Sequence, residues 1–424
     1  MSDAATLPPW ASRQAAVCLS LLEQAIVRVQ QGEPADRALR TVMGDQKKYG
    51  SRDRRLFGDA LFAWFRWYGA VREIPLARGL CVAWYLDARP WVPALEAILG
   101  DLQLPCPDPI GRETPPVARK ALAERAFGLS LPGVEAWLPE WVVAETRDWI
   151  TSDDLLNTVI SRPPTWLRVD VEARSALHEV LVGGGGVWAG KASPNAYAFE
   201  DPGTVHALLR HHADVLEIQD IASQQVVRLC APSAGQSWWD ACCGAGGKSL
   251  QLLDESGRDL DLTCTDRREH VLREISRRGR KHGLARTRRY ALDLLKEPER
   301  PNIPFDGILV DAPCSGQGTW ARNPDAAWRT QERDIRQHAR RQLKMLETVA
   351  PALKPGGRLV YSVCSLTRSE TTDVVQAFLG SQPGFRLMPV DHPLTGQPTD
   401  GCVQILPAQG PGDGMFIAVF TRET

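Results

Sequence analysis

The stretch FDGILVDAPCSGQGTW, residues 305–320, joins an apolar run to a segment of small and polar residues. Its first half predicts a strand that is buried on both faces of a parallel sheet. The stretch GGRLVYSVCSL, residues 356–366, repeats this pattern. Each run is followed by a cysteine, Cys314 in the first and Cys364 in the second, among residues suited to a site rather than to a core. Two free thiols are therefore predicted at one edge of one sheet.

Strands and helices alternate around these two stretches, from about residue 235 to the end of the chain. This order predicts an α/β fold with a mostly parallel sheet and right-handed crossovers. The last two strands have no helix between them and suit a terminal antiparallel pair. The predicted strands are SWWDACC (237–243), LTCTD (262–266), RRYALD (288–293), FDGILVD (305–311), GRLVYSV (357–363), FRLMPV (385–390) and MFIAVFTR (415–422).

Two further parts precede this domain, which we place at 226–424. Residues 1–145 have apolar residues at helical spacing and predict an all-helical domain; one predicted helix ends at Gly32, and another has Leu56, Ala60, Leu61, Trp64 and Tyr68 on one face. Residues 146–225 combine a short strand in RPPTWLRVD, a helix, and the turn Gly183–Gly186, which together predict a small α/β connector.

Composition excludes several classes of protein. The formal net charge of −1 does not by itself indicate a polyanionic partner. Ten cysteines without a CxxC pair and only eight histidines argue against a metal site. No signal peptide and no apolar stretch of about 18 residues is present, so we expect a cytoplasmic protein without a membrane segment. Nothing indicates an obligate protein partner, and we expect a monomer.

A glycine-rich loop follows the first strand of the α/β domain, in DACCGAGGKS, residues 240–249. Its glycines allow a tight turn and a close approach of the backbone to a ligand. The spacing is neither that of a phosphate-binding Walker loop nor GxGxxG. The residues predicted to bind a nucleoside cofactor here are Cys242, Cys243, Gly244, Ala245, Gly246, Gly247 and Lys248.

Two aspartates at the ends of the next strands extend this prediction. Asp266 lies about twenty residues after the loop, where an acidic side chain can bind the ribose hydroxyls, although it can also cap the helix that follows. Asp293 can reach the adenine amino group, or it can be an ordinary loop residue. S-adenosylmethionine fits this set better than a dinucleotide does, because no second phosphate-binding turn is visible.

The two thiols suit chemistry on a pyrimidine. Carbon 5 of cytosine is a poor nucleophile, but a thiolate that adds to carbon 6 produces an enamine that can take a methyl group at carbon 5. An acid at N3 assists the addition; Asp311 is placed for this, and would have to be protonated. The product stays attached until the proton on carbon 5 is lost, and a second thiol can assist its release.

These motifs resemble those of the Sun/Fmu (RsmB-type) RNA cytosine carbon-5 methyltransferases over residues 160–420. The resemblance implies a Rossmann-like class I methyltransferase domain with a seven-stranded sheet, using S-adenosylmethionine to form 5-methylcytosine in RNA, with small-subunit (16S) rRNA as the expected substrate. It implies that Cys364 is the nucleophile, whereas Cys314 assists release. Asp311 is expected to contact both base and cofactor. The helical part is similar, more loosely, to a NusB-like RNA-binding domain.

The chain departs from the family pattern in two places. The family loop usually reads Ala-Ala-Pro-Gly-Gly-Lys, and the missing proline predicts a looser turn and weaker cofactor binding. After the nucleophile the family often has Glu-Asn-Glu, of which only Glu370 is kept, so the support of the nucleophile is expected to differ. Two alternatives stay open at this point: an enzyme that acts on tRNA, and a non-catalytic RNA-binding or assembly factor on a methyltransferase scaffold.

RNA contacts are predicted from local clusters of positive charge. Residues 267–289 hold ten Arg and Lys against two Glu, which favours binding to a phosphate backbone. Arg322 and Asn323 are expected near the target nucleotide, since a base in structured RNA must be extruded to reach Cys364. A second basic stripe is predicted at Arg329, Arg333, Arg336, Arg340 and Lys344. Either cluster can instead be a solvated helix face.

Overall fold

The computed structural model describes residues 7–44, 48–146, 150–281, 287–296 and 301–424. The chain forms two compact units. The first comprises Met1–Ser161 and Trp320–Glu332, and the second comprises Arg162–Thr319 and Arg333–Thr424. The first unit thus includes a short segment from the middle of the α/β region, which the predicted boundary at 145 did not anticipate. No helix in the described ranges is long and apolar enough to cross a membrane.

The first unit is helical, as predicted. The face expected on the second long helix is buried at Leu56, Ala60, Leu61 and Trp64, but that helix ends at Arg66, so half-buried Tyr68 lies at the start of the next short helix. The helices of its N-terminal part are α1 (Ala11–Gln30), α2 (Ala35–Met43), α3 (Ser51–Arg66), α4 (Tyr68–Val71), α5 (Leu76–Leu86), α6 (Pro93–Asp101), α7 (Pro116–Phe127), α8 (Glu140–Thr146) and α9 (Ser152–Ile160).

Hydrogen bonds tie the segment Trp320–Glu332 into the helical unit. Buried Arg66 donates to the carbonyl oxygen of Ala321, and the indole of Trp328 donates to the carbonyl oxygen of Phe65 at 3.1 Å. The backbone N–H of Ala35 donates to Asp325 at 3.1 Å, which satisfies a free N–H group at the start of α2. This segment is therefore part of the helical core.

The second unit contains the predicted parallel sheet. Its strands are β1 (Thr165–Val169), β2 (Val187–Trp188), β3 (Ala196–Phe199), β4 (Leu216–Ile218), β5 (Ser237–Asp240), β6 (Asp261–Asp266), β7 (Arg288–Ala291), β8 (Phe305–Asp311), β9 (Leu353–Val363), β10 (Phe385–Leu387), β11 (Val390–Asp391), β12 (Pro398–Thr399), β13 (Cys402–Ile405) and β14 (Met415–Arg422). The remaining helices in chain order are α10 (Arg174–Gly183), α11 (Pro202–His212), α12 (Ile221–Cys230), α13 (Gly247–Glu255), α14 (Glu269–Lys281), α15 (Ala326–Arg329, in the first unit), α16 (Glu332–Val349) and α17 (Thr372–Ser381).

The large sheet has the strand order β10-β14-β9-β8-β5-β6-β7. Strands β7, β6, β5, β8 and β9 are parallel, and β14 pairs antiparallel with both β9 and β10. The predicted seven strands and the antiparallel pair at the end are confirmed, and β13 is an eighth strand beside β14 that the sequence did not reveal. Since β5 lies between β6 and β8, the order of the strands reverses there, and such a point opens a crevice at the carboxyl ends of the strands.

The connector forms a separate four-stranded antiparallel sheet in the order β2-β3-β1-β4. Arg168 on β1 is fully buried and donates to Asp254 at the end of α13 at 2.9 Å, so a buried ion pair links this sheet to the large domain. The predicted boundary at 225 falls inside α12, whose Val226 and Val227 belong to the core of the large sheet. Strand β2 and helix α11 were not predicted.

The second basic stripe is not continuous, so that prediction was wrong in part. Helix α15 ends at Arg329, which pairs with Asp325 at 2.8 Å. Thr330 has extended backbone angles (φ −74°, ψ 136°) and interrupts the helix before α16 begins. Arg333, Arg336 and Arg340 are exposed on α16, whereas Lys344 is half-buried.

Candidate active site

The two predicted thiols lie side by side. Cys314 follows β8 and Cys364 follows β9, and these strands are parallel neighbours with Asp311 in register with Ser362. The two sulfur atoms are 3.3 Å apart. The backbone N–H of Gly318 donates to the carbonyl oxygen of Cys364 at 3.0 Å, which holds the two loops together. The strand ends thus bring both thiols to one point.

A contact between two glycines fixes the loop after Cys314, and the sequence did not reveal it. The N–H of Gly414 donates to the carbonyl oxygen of Gly318 at 2.8 Å. A Cβ atom on Gly318 would lie 1.9 Å from the carbonyl oxygen of Gly414, so only glycine fits here. The Asp413-Gly414 pair just before the last strand therefore supports the thiol loop.

Asp311 is held from both sides. Lys248 donates to one carboxylate oxygen at 2.7 Å, and the hydroxyl of Ser362 donates to the other at 2.8 Å. Burial alone would lower the pKa of Lys248, but its interactions with Asp311, Cys364 and Asp240 outweigh burial and raise the pKa overall. A lysine ammonium can only donate, so Lys248 occupies an acceptor position of Asp311, whereas the predicted role of Asp311 required it to donate a proton to the base.

The glycine-rich loop connects β5 to α13. Gly246 has a left-handed backbone (φ 86°), and its N–H donates to the carbonyl oxygen of Cys243 at 2.9 Å, which closes the turn without a proline. A Cβ atom there would lie 2.9 Å from Ile275. Gly244 also has a positive φ of 51°, and its N–H donates to Asp266 at 3.2 Å. The backbone of the loop is therefore tied to the end of β6.

Asp266 is the last residue of β6, shortly before the start of α14, and its binding of ribose hydroxyls stays a prediction. It accepts from the backbone N–H of Arg268 at 2.9 Å, which forms a turn just before α14, and it lines the cavity at the edge of the sheet. Partial burial raises its pKa, but hydrogen bonds from Arg268 and from Gly244 outweigh this and lower it overall. Asp293 also lines the cavity and accepts from the N–H of Leu295 at 3.1 Å. Neither contact prevents the binding of a ligand.

One cavity of about 370 Å³ collects most of the predicted residues at the carboxyl ends of β5, β6, β8 and β9. Nothing in this lining excludes S-adenosylmethionine: the glycine turn leaves room for a ligand, Asp266 and Asp293 offer acceptors, and buried Asp240 nearby has an oxygen without a partner. In the described ranges no cluster of His, Cys, Asp and Glu could hold a metal ion. The predicted residues that line the cavity are Cys242, Gly244, Asp266, Asp293, Asp311, Cys314 and Cys364.

The remaining predicted residues do not line the cavity. The side chain of Cys243 is buried, and its hydrogen bond with Cys264 is the main reason why its pKa is raised. Lys248 donates a hydrogen bond to Asp311, which does line the cavity. Ala245, Gly246 and Gly247 contribute the backbone of the turn.

Part of the predicted basic segment lies outside the described residues, which resume at 287. Arg267 and Arg268 line the cavity, and Arg278 on α14 pairs with Glu217 and donates to the carbonyl oxygen of Ala245. Arg322 and Asn323 belong to the segment packed in the helical unit. Their contact with a target nucleotide stays a prediction.

Comparisons with known proteins agree with this geometry. A family model described as 16S rRNA methyltransferase RsmB/F matches residues 227–421. Ribosomal RNA small subunit methyltransferase B of Citrobacter koseri is 34% identical over 311 residues, which cover 68% of this chain and 70% of that protein. The matched region spans about two thirds of the length of the curated relatives, 66% and 70% for two of them.

Solved structures share the fold. The crystal structure of PH0851 has a TM-score of 0.70 at 20% identity and covers 95% of this chain and 99% of its own. NSun6 from Pyrococcus horikoshii with SFG has a TM-score of 0.55 at 17% identity, covering 66% and 98%. At such identities the likeness concerns the Rossmann-like fold alone. The family model and the curated relative lead to one conclusion: the chain belongs to the RsmB/F family of 16S rRNA methyltransferases.

Proposed function

We propose that this protein transfers a methyl group from S-adenosylmethionine to carbon 5 of a cytosine in small-subunit rRNA, through a covalent bond between Cys364 and the base. The observation that carries the proposal is the pair of thiols 3.3 Å apart, in the same cavity as Asp266 and Asp311. A single nucleophile would need no second thiol. Family membership supports the class of reaction, and the cavity supports its chemistry.

Cys364 is the nucleophile in this proposal. Its sulfur adds to carbon 6 of the cytosine, which makes carbon 5 a nucleophile. Bound S-adenosylmethionine would supply an electrophilic methyl group, held by the glycine turn, Asp266 and Asp293. The base stays bonded to Cys364 until carbon 5 gives its proton to water; this electron pair restores the double bond between carbons 5 and 6, the carbon–sulfur bond breaks and the Cys364 thiolate is restored. Cys314 assists this release by donating a hydrogen bond from its thiol to the leaving sulfur, 3.3 Å away.

Lys248 and Asp311 stabilise the charge that develops on the base. Addition to carbon 6 places negative charge towards N3, where a proton donor stabilises it. Lys248 donates a hydrogen bond to Asp311 at 2.7 Å, so its ammonium group can supply a proton that passes through the Asp311 carboxylate to N3.

The surroundings of the two thiols differ, which supports their different roles. The pKa of Cys314 is raised by its hydrogen bond to Cys364, by burial, and by the negative charges of Cys364 and Glu370. Cys364, in contrast, interacts with the positive charge of Lys248. Cys314, whose raised pKa keeps its thiol protonated, thus lies beside a second thiol that interacts with a positive charge, and this difference supports a nucleophile and a releasing group.

Cysteine variants test the proposal. With S-adenosylmethionine labelled on its methyl group and small-subunit RNA, Cys364→Ala should lose all methyl transfer, whereas Cys314→Ala should accumulate a protein–RNA adduct that survives denaturation. Cys402→Ala is the control, since this half-buried cysteine on β13 does not line the cavity. Full activity of Cys364→Ala would refute the role of the nucleophile. A parallel reaction with tRNA distinguishes the substrate classes, and bisulfite sequencing then locates the cytosine.

A further inference from the structure

Glu370 is a buried acid between the two thiol loops. Its side chain is fully buried in the short turn that precedes α17. It accepts from the backbone N–H of Ser315 at 3.0 Å and also from the Ser315 hydroxyl, so it holds the residue next to Cys314. The hydroxyl of Ser365, the residue next to Cys364, donates to it at 2.8 Å.

Further contacts extend this arrangement. Gln342 on α16 donates to Glu370 and to the carbonyl oxygen of Pro313, both at 3.0 Å. The hydroxyl of Thr367 lies 3.3 Å from the same carboxylate. All five donors are neutral, and in the described part of the chain no lysine or arginine forms an ion pair with Glu370. Hydrogen bonds from neutral donors therefore satisfy this buried side chain.

We propose that Glu370 is a positioning residue, whose carboxylate joins the Cys314 loop to the Cys364 loop and so maintains the contact between the two sulfur atoms. This inference rests on the proposed function, and no part of it requires Glu370 to touch the substrate. Hydrogen bonds to the residues directly after both cysteines mean that the loops cannot move independently. Without the carboxylate, five donors around one buried position would lose their acceptor.

The charge of Glu370 has a second effect. It contributes to the raised pKa of Cys314 and of Tyr361, a buried neighbour. The charged or titratable groups around Cys314 are Cys364, Glu370 and, across the cavity, the pair Lys248 and Asp311. Removing the charge of Glu370 should therefore favour ionisation of Cys314 and weaken the distinction between the two thiols.

Glu370→Gln tests the inference, because it keeps the size of the side chain and removes its charge. In a Cys364→Ser background, the pH midpoint for alkylation of Cys314 by iodoacetamide should fall by about one unit. In a Cys314→Ala background, adduct formation on Cys364 should slow at least tenfold with unchanged affinity for RNA. Tyr361→Phe is the matched control: it removes hydrogen bonds in the same buried region and keeps the carboxylate.

The outcomes separate the inference from the proposed function. An unshifted alkylation midpoint together with normal adduct formation in Glu370→Gln would overturn the inference, while an adduct in Cys314→Ala would still support the reaction. Absence of any adduct in Cys314→Ala and of methyl transfer by the wild type would overturn the reaction. If Glu370→Gln does not fold, Ser365→Ala replaces it: slower adduct formation with an unshifted midpoint supports the positioning role, and normal adduct formation refutes it.

Discussion

Replacing Gly318 with alanine would test whether the thiol loop must lie against the chain at Gly414. The new Cβ atom would be 1.9 Å from the carbonyl oxygen of Gly414 and 2.5 Å from its carbonyl carbon. Ordinary contacts of a Cβ atom begin near 3.4 Å. Both clashing atoms belong to the backbone, so no side chain can rotate away to relieve the clash. The two segments must therefore separate by roughly 1.5 Å, the difference between 3.4 Å and 1.9 Å.

This separation reaches the reacting atoms directly. The N–H of Gly318 donates to the carbonyl oxygen of Cys364, so the displaced loop either pulls Cys364 with it or breaks that bond. A misplacement of about 1 Å can lower a rate about 100-fold. We therefore expect kcat to fall by about 100-fold. Overpacking costs about 1–3 kcal/mol, which corresponds to a decrease in Tm of a few degrees.

Methyl transfer at saturating substrate and calorimetric unfolding measure the two effects. Gly380→Ala is the matched control, since Gly380 is exposed on α17, has an ordinary backbone, and nothing lies within 4 Å of an added Cβ. That change should keep kcat and raise stability by about 0.5–1 kcal/mol, because alanine favours a helix. An unchanged kcat in Gly318→Ala, with a normal Tm, would refute the reasoning.

Three further predictions concern the cavity and its surroundings. Burial raises the pKa of Asp240 from 3.8 to about 7, so its contribution to stability is lost as the pH rises towards 7. Asp240→Asn should remove about 2 kcal/mol of this decline between pH 5 and 7, and equal urea-unfolding profiles would contradict it. Asp266→Asn should weaken S-adenosylmethionine binding about 10–100-fold in calorimetry, whereas Asp261→Asn at the exposed start of the same strand should not. A peroxide should oxidise Cys314 and Cys364 to a disulfide, with loss of two hydrogens from the thiols and formation of two waters. Mass spectrometry should find this bond before other cysteine pairs react, and dithiothreitol should reverse it.

Periodic features of the fold could be predicted from the sequence. The apolar runs of β8 and β9 are long enough to indicate buried strands. The helices between consecutive strands indicate that these strands are parallel. Strand β13 escaped this reasoning because it is only four residues long, alternates between buried and half-buried, and lies in a Pro/Gly-rich stretch. Arg329 was placed on the wrong helix because charges at helical spacing continue across Thr330, where only the backbone angles show that the helix stops.

The residues at strand ends could be predicted for a related reason: parallel strands deliver their carboxyl ends to one edge, so Cys314, Cys364 and Asp266 had to be neighbours. The contact between Gly318 and Gly414 joins irregular segments far apart in the chain, and no spacing rule describes it.

Glu370 differs from the residues beside it because it contacts residues that are far away in the chain. The family often has Glu-Asn-Glu after the nucleophile, and here the second and third residues are threonines. Thr371 donates from its hydroxyl to the carbonyl oxygen of Thr367 at 2.7 Å, which closes the turn before α17. Its role is thus local, and a turn can be closed in many ways. Glu370, in contrast, binds Ser315, which is 55 positions away, and this contact uses both oxygens of the carboxylate. A change at 371 or 372 should therefore leave the thiols in place, whereas a change at 370 should not. The rate of adduct formation on Cys364, compared between Thr371→Asn and Glu370→Gln in a Cys314→Ala background, measures this difference directly.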